Sequence, residues 1–125
     1  MRQAQDILNI RTRGQGHHEI TTEARAWVTL QGMRTGLLTI FVQHVLASLV
    51  VRQQHSDRDD LHTFFRRLEG DDAELIPAAH NHYATQLSVP VRDGELALGA
   101  RQGLYLLEQR DSASTRHLVL HLIGE

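Results

Sequence analysis

Apolar and polar positions follow two periods along this chain. Leu87, Val89 and Val91 alternate with polar neighbours, Asp93-Gly94 interrupts them, and Leu96 and Leu98 resume. A period of two on both sides of Asp-Gly predicts a tight hairpin. Gly103-Leu104-Tyr105-Leu106-Leu107 and His117-Leu118-Val119-Leu120-His121-Leu122 predict two further strands, and Asp6 to Thr12 an edge strand closed by Gly14-Gln15-Gly16. Thr21-Thr22-Glu23 opens a helix with Ala24, Trp27 and Val28 inward and Gly32 as its stop. A second helix follows Ser56, which a capping box with Asp59 would start. Its stripe is Leu61, Phe64, Phe65 and Leu68, and Gly70 ends it. Pro77 suits the first turn of a shorter third helix with Ile76, His80, Tyr83 and Leu87 on one side.

The remaining segment, Thr39 to Val51, reads TIFVQHVLASLVV. It predicts one buried strand, with Val42, His44, Leu46 and Ser48 sharing a face. A neutral imidazole buried there without a partner would cost on the order of a few kcal/mol, so something must bond it. The residues by themselves favour a core histidine held by a backbone carbonyl over a ligand site. The elements together give an α+β domain, residues 1–125, with a mixed, largely antiparallel sheet and two or three helices.

Composition changes this picture little. With 125 residues, 41% apolar and 22% charged, the chain is an ordinary globular domain. A net charge of −2 argues against a nucleic-acid stripe, and every basic residue is an arginine. The lack of cysteine excludes disulfides, zinc thiolates and a thiol nucleophile. No segment reads as a signal peptide or membrane span, so the expected setting is the cytoplasm, without membrane or nucleic-acid partners.

Nine histidines are the one compositional hint of chemistry. His44 is the first candidate. His80 and His82 would share a face on a strand but diverge by about 200° on a helix, which leaves His80 as the better single ligand. His117 and His121 share a strand face with Val119, towards solvent or an interface. His17-His18 fall in a Gly-rich turn, and His55 and His62 at or near a helix's polar side. Glu108 and Arg110 share a strand face and could pair with each other or bind an anion. Gly99 and Gly103, flanking Arg101-Gln102, permit close backbone approach.

In order, these pieces resemble the YjbQ family, described as secondary thiamine-phosphate synthase enzymes. The resemblance rests on Thr12-Arg13-Gly14, Ile20-Thr21-Thr22-Glu23 and His44-Val45-Leu46-Ala47-Ser48-Leu49. It continues through Val89-Pro90-Val91-Arg92-Asp93-Gly94, Gly99-Ala100-Arg101-Gln102-Gly103-Leu104, Glu108-Gln109-Arg110 and Ile123-Gly124-Glu125. It implies a sandwich-like sheet with helices and a homotrimer with histidine-lined pockets suited to an anion or a metal. The chemistry it implies joins a pyrimidine pyrophosphate to a thiazole phosphate. Arg52-Gln53-Gln54 replaces the family's Asn-Glu-Asn, Arg101 its Trp and Gln109 its second His. A histidine-bearing segment between Glu69 and Ile76 is shortened.

Three readings follow. In an enzyme of this type, His44 binds or polarises phosphate, Arg110 or Arg101 supplies charge, and Glu108 orients them. Gln102 and Ser48 complete the anion contacts. In a diverged trimer the pocket binds an anion or metabolite without catalysis. In a metal protein, His44 and His80 ligate with a third residue.

Overall fold

The computed structural model describes residues 1–54 and 84–125. Eight strands and one helix lie among them. The strands are β1 (Arg2–Thr12), β2 (Gly16–Glu19), β3 (Thr35–Val42), β4 (Ala47–Gln53), β5 (Gln86–Arg92), β6 (Glu95–Leu96), β7 (Gln102–Glu108) and β8 (Ser114–Gly124). The helix, α1, is Thr21–Gln31. The two later helices expected from sequence lie outside the described residues.

The strands form two antiparallel sheets. A five-stranded sheet runs β1-β8-β3-β5-β6, and a three-stranded sheet runs β2-β7-β4. Both turn apolar residues to a shared core. The large sheet contributes Leu38, Ile40, Leu118, Leu120 and Leu122, the small one Leu49, Leu104 and Leu106. The strand pairing is antiparallel, as the alternating patterns call for, and the two-sheet arrangement is the sandwich that the family resemblance implied.

β1 is the expected edge strand, paired among the described residues with β8 alone. The hairpin turn falls on Asp93 and Gly94, both at positive φ (53° and 83°), the backbone that a two-residue connection of this hand requires. α1 begins and ends where expected. Ala24 and Val28 are buried, Trp27 is half-buried, and Gly32 closes the helix at φ 69°. Its start is held differently from an ordinary N-cap. The Thr21 hydroxyl donates to Glu19 Oε2 at 2.8 Å and accepts the Leu104 N–H at 2.9 Å, tying the helix to β7.

Two segments differ from expectation. His17 and His18 lie within β2, paired with Leu107 and Leu106, not in a turn. A short edge strand needs little hydrophobic signal of its own when a fully buried neighbour supplies the partner groups.

The larger difference is Thr39 to Val51. It is two strands, β3 in one sheet and β4 in the other, broken at residues 43–46. The inward residues of β3 are even-numbered (Leu38, Ile40, Val42), those of β4 odd-numbered (Ala47, Leu49, Val51). One unbroken strand could not turn both sets to the same core. The polar pair Gln43-His44 sits where the chain changes sheets.

Candidate functional site

His44 stands in that crossover, half-buried and outside both ladders. The loop is fixed on each side. Gln43 N–H donates to the His117 carbonyl at 3.1 Å, and Gln109 N–H donates to the Leu46 carbonyl at 3.0 Å. Within it, the Leu46 N–H donates to His44 Nδ1 at 3.0 Å. An Nδ1 that accepts a backbone N–H leaves the neutral ring's proton on Nε2. Burial holds the imidazole below its ordinary pKa, and the guanidinium groups of Arg116 and Arg110 lower it further against the opposing pull of Glu108. His44 is therefore kept as a neutral Nε2–H donor beside two cations.

Glu108 ends β7 with its side chain fully buried. Its Oε1 accepts the Thr12 hydroxyl at 2.9 Å and Arg116 Nε at 2.7 Å. Its Oε2 accepts Arg116 Nη2 at 2.9 Å and the backbone N–H groups of Gln109 and Arg110 at 3.1 and 3.3 Å. Burial raises the carboxyl pKa, but the bonds from Arg116, Thr12 and the Arg110 backbone outweigh it, and the net shift is downward. So bonded, Glu108 is held in its ionised form, its oxygens taken up by its own neighbours. Its work is to fix the turn that carries Arg110 past the end of β7. The expected Glu108–Arg110 side-chain pair is replaced by Glu108–Arg116, because the strand ends at Glu108 and Arg110 turns out to solvent.

Arg116 and Thr12 were not read from sequence as site residues. The signal for Arg116 was present: it precedes Leu118, Leu120 and Leu122 on the inward parity of β8. A charge on that face needs a buried partner.

The remaining candidates divide. Arg101 and Gln102 lie at the other end of β7, so its seven residues set them roughly 20 Å from Glu108 at ~3.3 Å per residue. There Gln102 Oε1 accepts the Gly99 N–H at 2.7 Å, and Arg101 is exposed at φ 70°. Within one chain they do not join the His44 cluster.

Ser48 does not share a strand face with His44. It faces away from the core beside Leu107, buried, its hydroxyl without a hydrogen-bond partner among the described residues. His117 and His121 lie on the outward face of β8, bonded to Asn9 and Gln5. His80, and with it the His44–His80 metal pair, lies outside the described residues. Among the described residues no three His, Cys, Asp or Glu side chains gather as a metal site. No helix among them is long and apolar enough to cross a membrane.

The fold is found in solved structures. A YjbQ-like protein from Sulfolobus solfataricus superposes with a TM-score of 0.78 at 24% identity, covering 99% of this chain and all of that one. A YjbQ/UPF0047 protein from Clostridium acetobutylicum gives 0.80 at 20% identity, covering 94% and 99%. In sequence, a UPF0047 protein of Synechocystis sp. is 35% identical over 139 aligned positions, covering 99% of this chain and 94% of its own. The UPF0047 protein YjbQ of Escherichia coli O157:H7 is 27% identical, covering 97% and 98%. The family model described as UPF0047 protein YjbQ-like matches residues 6–125, and the chain belongs to the YjbQ family.

Proposed function

We propose that this chain binds a phosphorylated small molecule or phosphate-like anion at the sheet crossover, with His44 and Arg110 as its contacts. The observation that carries this reading is the 3.0 Å bond from Leu46 N–H to His44 Nδ1. It commits Nε2 to donating, and with the charge of Arg116 met by Glu108, Arg110 is the guanidinium left to supply positive potential beside it. A ring already donating beside a guanidinium suits an anion better than the metal that the resemblance also allows. A homotrimer belongs to the same proposal.

The catalytic form of the reading is transfer of a thiamine-phosphate synthase kind, in which a positively charged site would stabilise departing pyrophosphate. The bonding of Glu108 favours the other form, binding without catalysis. Its carboxylate is taken up by five donors and is not available as a general base.

Calorimetric titration with inorganic phosphate and with pyrophosphate tests the reading. Wild type binds at least one of them, and His44→Ala and Arg110→Ala each lose affinity about tenfold while keeping the fold. No binding by wild type, or unchanged binding by His44→Ala, overturns it. Product formed from a pyrimidine pyrophosphate and a thiazole phosphate would restore the catalytic form.

A further inference from the structure

Asp6 breaks an otherwise apolar row. The inward side of β1 carries its even-numbered residues, and Ala4, Leu8 and Ile10 join the core while Asp6 stays exposed among them. The strand is also a long edge. Of the two edges of the five-stranded sheet, β6 spans two residues and β1 eleven.

Ladder bonding fixes what that edge presents. Gln43 N–H donates to the His117 carbonyl and Glu125 N–H to the Thr35 carbonyl, so odd-numbered residues of β8 bond towards β3 and even-numbered ones towards β1. Asp6 pairs with Leu120 and Leu8 with Leu118, and their backbone groups go to β8. Gln3, Gln5, Ile7, Asn9 and Arg11 therefore turn N–H and C=O groups to the open side. Such a row is a template on which another extended segment can pair.

The middle of the row is closed. Ile7 N–H donates to Asp6 Oδ1 at 2.8 Å, and Trp27 Nε1 donates to Asp6 Oδ2 at 3.3 Å. A strand pairing here would bring a carbonyl oxygen to about 2.9 Å from the Ile7 nitrogen. Asp6 Oδ1 already stands in that place, and a carboxylate repels the carbonyl oxygens of an approaching segment. Nor is it free to swing aside. Trp27 is half-buried against the core, and one turn further along α1 the Gln31 carbonyl accepts Arg2 Nη2 at 2.9 Å. Helix and edge strand are tied at both points.

We propose that Asp6 is a latch that shuts the open edge of β1 against pairing with an extended polypeptide segment. A charge placed on the inward row of an edge strand disfavours such pairing in general. Here the same carboxylate also occupies the central donor and takes its position from the helix. The proposal does not rest on the anion-binding reading, whose cluster meets β1 at Thr12.

Two measurements on the folded protein test it. In wild type, amide hydrogen exchange at Ile7 should be about tenfold slower than at Asn9, the next outward amide, and Asp6→Val should remove that difference while leaving Leu8 unchanged. A fluorescent peptide with the sequence of Ser114–Gly124, the strand that β1 already pairs with, should bind Asp6→Val about tenfold more tightly than wild type. Trp27→Phe, which takes away the indole donor, should also bind it more tightly. Ile7→Pro added to Asp6→Val should abolish the binding, because it removes the freed N–H and no ladder bond. Should Asp6→Val fail to fold, Asp6→Ala replaces it. Exchange at Ile7 that ignores Asp6, or equal peptide affinity in wild type and the folded variant, overturns the proposal. So does binding that survives Ile7→Pro, and an affinity unchanged in Trp27→Phe overturns the indole's part in it.

Discussion

Arg116 Nε lies 2.7 Å from Glu108 Oε1, and both side chains are almost wholly buried. A guanidinium on β8 of the large sheet thus clamps a carboxylate at the end of β7 in the small one, and Thr12 of β1 adds a third strand. Removing one member of such a pair strands a buried charge, which costs far more than the pair itself contributes.

Glu108→Gln should therefore destabilise the fold by about 3–5 kcal/mol near neutral pH, whereas Glu108→Leu with Arg116→Met should recover most of that loss. The pH dependence has a definite sign. The folded pKa of Glu108 is lowered, so its contribution is full above the unfolded value of about 4.3 and is lost as pH falls through the folded value. Urea unfolding at about pH 7 and about pH 3 should show the gap between wild type and Glu108→Gln narrowing in acid.

His44 should titrate below 6.5, with the neutral Nε2–H tautomer visible in nitrogen-15 spectra of the imidazole. Arg110→Gln removes one of the cations that lower it, so the midpoint should rise. A folded pKa below the unfolded one means that protonation favours unfolding. The His44 contribution is present above about 6.5 and lost as pH falls through the folded value. Bound phosphate should move the midpoint upward, and a midpoint that ignores both changes would remove His44 from the site.

Arg101→Ala should leave phosphate affinity within about twofold of wild type, since ~20 Å exceeds the ~8 Å screening length at physiological salt. Arg110→Ala should not. A tenfold loss in Arg101→Ala would instead mean that a neighbouring copy brings its own Arg101 to the site.

Gly36 and Gly124 face each other where β3 pairs with β8. A Cβ on Gly36 would stand 2.6 Å from the Ile123 carbonyl oxygen, and one on Gly124 would strike the Thr35 carbonyl oxygen. Both obstacles are backbone and cannot swing aside. Alanine at either position should lower stability by about 1–3 kcal/mol. Gly99→Ala, opposed only by the Gln102 side chain at 3.1 Å, should cost less than about 1 kcal/mol in the same thermal melts.

Much of this architecture was legible because alternation survives wherever one face is wet. Leu87, Val89 and Val91 marked β5, and Asp93-Gly94 its turn. Thr21 and Gly32 bounded α1. Legibility failed where both faces are buried or the pattern is saturated. In TIFVQHVLASLVV nine of the thirteen residues are apolar and fall on both parities, so the change of inward parity between Val42 and Ala47 was masked. β2 failed for the opposite reason: Gly16-His17-His18-Glu19 has almost no apolar signal, and its strand character is borrowed from β7. His44 stood out in the sequence as a candidate but its setting did not, because sheet switching is a tertiary event. Spacing favoured Arg110 as the partner of Glu108, two residues away. Arg116, eight residues on across a chain reversal, was the one that folding delivered.

The crossover at residues 43–46 has a consequence for how such a domain can change over time. Its bonds to its surroundings run through backbone groups, Gln43 N–H, the Leu46 carbonyl and Leu46 N–H, with the His44 ring alone drawn from a side chain. Replacing that ring would disturb no strand register and leave no charge buried, whereas removing the Glu108 carboxylate alone leaves the Arg116 charge buried. Any ligand contact made through the His44 ring would thus be mounted on an exchangeable joint, whereas the clamp beneath it is fixed by its buried charges.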